Sequence, residues 1–136
     1  MERKILSVAS LLGMIAIILG AFGAHALKKV LSIEQLNTFE TGVKYQMYHA
    51  LFLLFVGTTS ALSDKAKKAI LSLVIVGVLF FSGSIYLLAT NDLTSFDFKV
   101  IGFVTPIGSL LLISSWIWVF VEVYKKGKHL ISIHIN

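Results

Sequence analysis

The chain has no cysteine, one proline and seven acidic residues among 136. The missing cysteine excludes disulfides, a thiolate nucleophile and any Cys-ligated metal, and it leaves the redox state of the compartment unread. Charge is scarce as well. Asp, Glu, Lys and Arg make up 14% and hydrophobic residues 57%, where a soluble domain carries roughly 25% and 45–50%. That balance excludes an ordinary soluble globular protein, because so much apolar surface needs an apolar solvent. The twelve Lys and Arg give a net charge of +5. They sit in short clusters beside hydrophobic runs, where membrane topology and anionic lipid account for them, and no nucleic-acid partner is expected.

What is present is a series of uncharged runs. Residues 5–27, 45–63, 69–91 and 100–121 contain no Asp, Glu, Lys or Arg, and each approaches the roughly 20 residues a helix needs to cross about 30 Å of hydrocarbon. The first run exceeds the 7–15-residue core of a signal peptide, so an uncleaved span is expected despite Ala24-His25-Ala26, which has the form of a cleavage site. The expected fold is all-α: one integral membrane domain, a four-helix bundle with both termini on the same side. Ser32 and Gln35 are spaced as a capping box. Ile33, Leu36, Phe39 and Val43 line one side of the segment after Ser32, which predicts a short interfacial helix between the first and second spans. Asp64–Lys68 reads as the turn between spans two and three. Pro106 lies early in the fourth span, where it would free the Gly102 carbonyl and bend the helix. Trp116, Trp118 and Tyr124 read as an aromatic belt, and residues 125–136 as a basic cytoplasmic tail. With four spans, eight of the twelve basic residues fall on the side of the termini, and the positive-inside bias then makes that side cytoplasmic.

Ala9, Gly13, Ala16, Gly20 and Gly23 succeed one another at steps of four and three, which puts all five on one helix face. Such a face serves internal packing or self-association. The polar residues that stand out are His25, Tyr45, Gln46, His49, Ser82, Tyr86 and Thr105. Alternating span directions put all seven in the non-cytoplasmic half, where each needs a partner. Three readings of this set stay open. It is a group of interhelical hydrogen bonds, or a binding cleft for a lipid headgroup, quinone-like molecule or partner segment, or a haem or metal site through His25 and His49. No catalytic residues are expected. Ser84 and His49 lack the Gly-x-Ser-Gly setting of rhomboid-type proteases, and no Gly-rich loop leads to a phosphate-binding Lys.

Four stretches, in order, resemble one known family: Gly20-Ala-Phe-Gly-Ala-His-Ala-Leu27, Thr41-Gly-Val-Lys-Tyr-Gln-Met-Tyr-His-Ala-Leu51, Phe81-Ser-Gly-Ser-Ile-Tyr86 and Thr105-Pro-Ile-Gly108. The family is the small membrane proteins grouped as domain of unknown function 423. Ser109 departs from its pattern, which has a second glycine there. The resemblance implies a four-helix protein of the bacterial cytoplasmic (inner) membrane and carries no activity, cofactor or residue role with it. The absent catalytic set and the small-residue face of the first span give the expectation of a non-enzymatic accessory or interaction protein without a cofactor. Its partners would be membrane lipids and either further copies of itself or another membrane protein. The alternative is a binder or carrier of a lipid or small hydrophobic molecule.

Overall fold

The structure is a computed structural model describing residues 1–135. Those residues form helices joined by short turns, with no strand among them. Helix α1 (Glu2–His25) leads through a 3-10 turn, Leu27–Lys29, to α2 (Ile33–Thr58). Helix α3 (Asp64–Val78) continues through a π-helical turn, Leu79–Gly83, into α4 (Ser84–Ala89). Two 3-10 turns, Asn91–Leu93 and Phe98–Ile101, then precede α5 (Val104–Ile135). Three stretches are long and apolar enough to cross a membrane: Glu2–Lys29, Asp64–Ala89 and Phe98–Ile135. Helix α2 is as long, but Lys44, Tyr45, Gln46, Tyr48 and His49 dilute its apolar run.

The five small residues of α1 face α2. A Cβ on Gly13 would lie 3.6 Å from the Ala50 methyl, one on Gly20 3.4 Å from Val43, and one on Gly23 3.2 Å from the Phe39 ring. Ala9 and Ala16 are fully buried on the same face. Near the other end, Gly57 of α2 admits Ile5 and Leu6. These contacts define an antiparallel pair in register along the whole of α1, with backbones brought close by missing side chains. Gly13 has ordinary contact distance to spare. Gly13→Ala is therefore expected to leave thermal stability in detergent unchanged, or raise it by up to about 1 kcal/mol through helix propensity. A melting curve checks this.

Helices α3 and α5 form the second antiparallel pair, Gly77 against Leu112 and Gly108 against Phe81. One core cluster joins the two pairs: Ile5, Leu53, Val56, Ile70, Val74 and Leu112. A second, smaller one lies near the opposite end around Leu27, Leu31, Phe39 and Ala89. Large apolar side chains such as Ile17, Leu110 and Phe120 are exposed on the outer surface, as helices dissolved in acyl chains require. At one end the start of α1 is tied to α3, where Lys67 Nζ donates to Glu2 Oε1 at 3.1 Å. At the same end Lys126 of α5 donates to the Ser60 carbonyl in the α2–α3 connection.

Three expectations are corrected. The interfacial helix is not a separate element, because residues 33–44 run without a break into the rest of α2. The capping box is present, with Ser32 Oγ accepting from Gln35 N and Gln35 Oε1 accepting from Ser32 N. It opens one 26-residue helix, and between Ser32 and Lys44 Gly42 alone strongly disfavours helix. The turn between α2 and α3 comes earlier than Asp64, since Ser63 caps α3 by accepting from Ala66 N and Asp64–Lys68 is already helical. Pro106 lies in the first turn of α5, where its missing N–H forfeits no helical bond and its ring produces no kink.

Candidate functional site

The polar side chains meet where the two helix pairs adjoin. Gly42 has no side chain, so the Tyr86 ring from α4 lies across α2 at that point. A Cβ on Gly42 would be 2.6 Å from the ring. The Tyr86 hydroxyl thereby reaches Gln46, one turn further along α2, and donates to its Oε1 at 2.7 Å. The other end of the same amide donates from Nε2 to the Leu12 carbonyl of α1 at 2.9 Å. Gln46 thus joins three helices. Just before Tyr86, in the π-helical turn, Ser82 donates to the Gly42 carbonyl at 2.8 Å. On the far side of α4, Ser84 and Thr105 of α5 share a hydroxyl–hydroxyl bond of 2.6 Å.

One turn beyond Gln46, His49 is buried. The Tyr45 carbonyl lies 2.7 Å from Nδ1. A carbonyl only accepts, so Nδ1 carries the proton and Nε2 presents its lone pair. Trp116 of α5 donates its indole N–H to that lone pair at 3.1 Å and stacks on Phe52, with ring centroids 4.2 Å apart. The neutral imidazole therefore has both nitrogens engaged. Among the described residues, every buried side-chain nitrogen and oxygen has a hydrogen-bond partner.

The structure brings together Gln46, Ser82 and Tyr86, and places His49 and Thr105 on neighbouring contacts. Tyr45 turns its ring outward, half-exposed and edge-on to Phe81. His25 is elsewhere, exposed at the last turn of α1. His49 lies level with Gly13, since Ala50 faces it, so His25 is displaced along the helix axis by roughly 17 Å at about 1.5 Å per residue. The two imidazoles do not face each other. Gln46 and His49 consequently sit about halfway along α1. Trp116 shares that depth. It is a partner of His49, a role that sequence reasoning missed.

Helices α2 and α5 scarcely touch along their backbones. Between them runs a groove of about 790 Å³ lined by Tyr45, Tyr48, Leu51, Phe52, Phe55 and Trp116 among others. His49 also lines it. A smaller hollow of about 370 Å³ lies on the other side of Trp116, against Phe81, Ser109 and Ile113, and shares Tyr45 and His49. Trp116, Tyr48 and Phe55 are each about half-exposed, so the groove opens sideways, toward lipid. Aromatic surface of this kind is well suited to contact with apolar chains or with another helix.

Residues 19–109 match the family model described as protein of unknown function DUF423. That block contains α2, α3 and α4 whole, with the Tyr86–Gln46, Ser82–Gly42 and Ser84–Thr105 contacts, while Leu12 and Trp116 lie outside it. The chain is 39% identical over 106 residues to a UPF0382 membrane protein of Staphylococcus haemolyticus, covering 78% of this chain and 83% of that protein. It is 36% identical to the UPF0382 membrane protein of Haemophilus influenzae, covering 86% and 90%. The UPF0382 membrane protein YwdK of Bacillus subtilis is also 36% identical, covering 82% and 89%. No solved structure matches.

Proposed function

The chain belongs to the DUF423 family, and on that premise we propose that it is a non-enzymatic, four-pass accessory protein of the bacterial cytoplasmic membrane. In this reading its α2–α5 groove receives a transmembrane helix of another membrane protein. The observation that carries the proposal is the groove itself: an aromatic-lined, laterally open gap between two helices joined mainly by the Phe52–Trp116 stack and the Trp116–His49 bond. Exposed aromatic anchors of this kind dominate binding energy where they are desolvated by a partner. The engagement of Gln46, Ser82, Ser84, Tyr86 and Thr105 in bonds between helices supports a scaffold rather than a reaction centre.

The α1–α2 register supports a four-pass reading. If α1 crosses the membrane, α2 lies beside it at every depth and crosses too, its polar groups satisfied by α1 and α4 rather than by water. The end where Glu2, Ser60, Lys67 and Lys126 meet is then the cytoplasmic one, with Arg3, Lys4, Lys65, Lys68, Lys125 and Lys128 close by in sequence.

A photo-crosslinking amino acid at Tyr48 or Phe55, in cells, tests the proposal. The expected product is a discrete adduct with one other membrane protein, lost when the same group is moved to Ile17 on the outer face of α1. Adducts with lipid alone would reject a helix partner. They would support the second reading, a binder of a lipid or small hydrophobic molecule. That reading is favoured by one observation: the groove volume of about 790 Å³ falls within the roughly 300–1,000 Å³ usual for ligand pockets.

A further inference from the structure

A second site lies at the end of the molecule away from α4, independent of the aromatic groove. Lys125 and Lys126 of α5, Glu122 one turn before them, and Ser60 and Ser63 of the α2–α3 connection surround a cleft of about 380 Å³. Lys126 is fixed at its mouth by its bond to the Ser60 carbonyl. An ammonium has three N–H groups, so two are left to point at an acceptor. Two ammonium groups and one carboxylate leave the cleft net positive, and the serine hydroxyls add neutral donors. Glu122 and Lys125 also belong to a hollow of about 370 Å³ that continues along α5 over Ser114, Ile117, Trp118 and Val121. A charged, hydroxyl-lined cleft thus borders an open, largely apolar face of α5 with which it shares two residues.

We propose that this composite surface binds one anionic glycerophospholipid of the leaflet at the basic end. Its phosphate would sit between Lys125 and Lys126, a headgroup hydroxyl would donate to Glu122, and one acyl chain would lie along Ile117, Trp118 and Val121. The arrangement of charge over apolar surface matches that ligand in two ways. The ammonium groups sit at the end of the span, where headgroups are. The apolar face of α5 runs from them toward the hydrocarbon, in the direction an acyl chain takes. A soluble phosphorylated ligand would use the cleft and leave that face of α5 uncovered.

Native mass spectrometry of the full chain, released from micelles containing phosphatidylglycerol or phosphatidylcholine of identical acyl chains, tests the proposal. The wild type is expected to retain phosphatidylglycerol in preference to phosphatidylcholine. Lys125→Gln with Lys126→Gln should lower that retention at least about 10-fold, the size of effect expected when charged hydrogen bonds to the phosphate are lost. Lys65→Gln with Lys68→Gln makes the same charge change on exposed residues at the same end and should alter retention less than about twofold. Trp118→Ala should weaken it without changing the headgroup preference. Equal losses from both lysine pairs would mean diffuse attraction and would overturn the site, as would equal retention of the two lipids. Displacement of the lipid by millimolar inorganic phosphate would show an ion site only and would overturn the assignment to a lipid.

Discussion

Gly108→Ala is expected to lower stability by at least about 1–3 kcal/mol, the usual cost of overpacking a core, and to do so where Gly13→Ala costs nothing. An alanine Cβ at 108 would lie 2.4 Å from the Phe81 backbone nitrogen and 2.8 Å from the Phe80 carbonyl carbon and the Phe81 Cα. The obstacle is backbone, so no rotamer change relieves it, and α5 must move away from the π-helical turn. That movement would stretch the neighbouring Ser84–Thr105 contact of 2.6 Å. The measurement is a pair of thermal or denaturant melts in the same detergent. Equal stability of the two alanine variants would show that α5 does not approach Phe81 this closely.

The second large effect concerns Gln46. Gln46→Leu keeps the volume near constant and removes both the bond from Tyr86 and the bond to the Leu12 carbonyl. Hydrogen bonds between membrane helices average about 0.6 kcal/mol and reach about 1.7, so a loss of about 1–3 kcal/mol is expected for the pair. Tyr86→Phe removes one of them and should cost about 0.6–1.7 kcal/mol. The diagnostic result is the double variant. Once Leu stands at 46, Tyr86→Phe should cost almost nothing, because its partner is already gone. Fully additive losses would mean that the two side chains do not bond. The cycle also separates the readings of the polar set, since a hydrogen-bonded scaffold loses stability whereas a cleft awaiting a ligand loses only the ligand.

Much of this arrangement was legible in the residue pattern because it depends on local chemistry. The uncharged runs mark the helices, Ser32 and Gln35 mark the start of α2, and the step of three and four in Ala9, Gly13, Ala16, Gly20 and Gly23 marks the face that meets α2. Other parts were not legible, for identifiable reasons. Glu40, Thr41 and Lys44 resemble an interfacial segment by composition, yet nothing there stops a helix and α2 runs through them. The Leu12 carbonyl that accepts from Gln46 has no sequence signature, because every residue carries a carbonyl. Trp116 is indistinguishable from Trp118 as a belt residue until the fold shows which one lies level with His49. His25 belongs to the same motif as Gly20 and Gly23, but its helix carries it to the end of the bundle, away from Gln46 and His49.

The antiparallel register of α1 and α2 bears on how the protein is made. A helix carrying Lys44, Gln46 and His49 is a poor substrate for entry into lipid by itself, since its amide and imidazole would arrive there without partners. The Leu12 carbonyl and the glycine-lined face of α1 supply part of what it lacks. In the four-pass reading, biosynthesis should therefore deliver the first two helices to the bilayer as one preassembled hairpin, and a ribosome that had translated only the first would hold an intermediate still waiting for its mate.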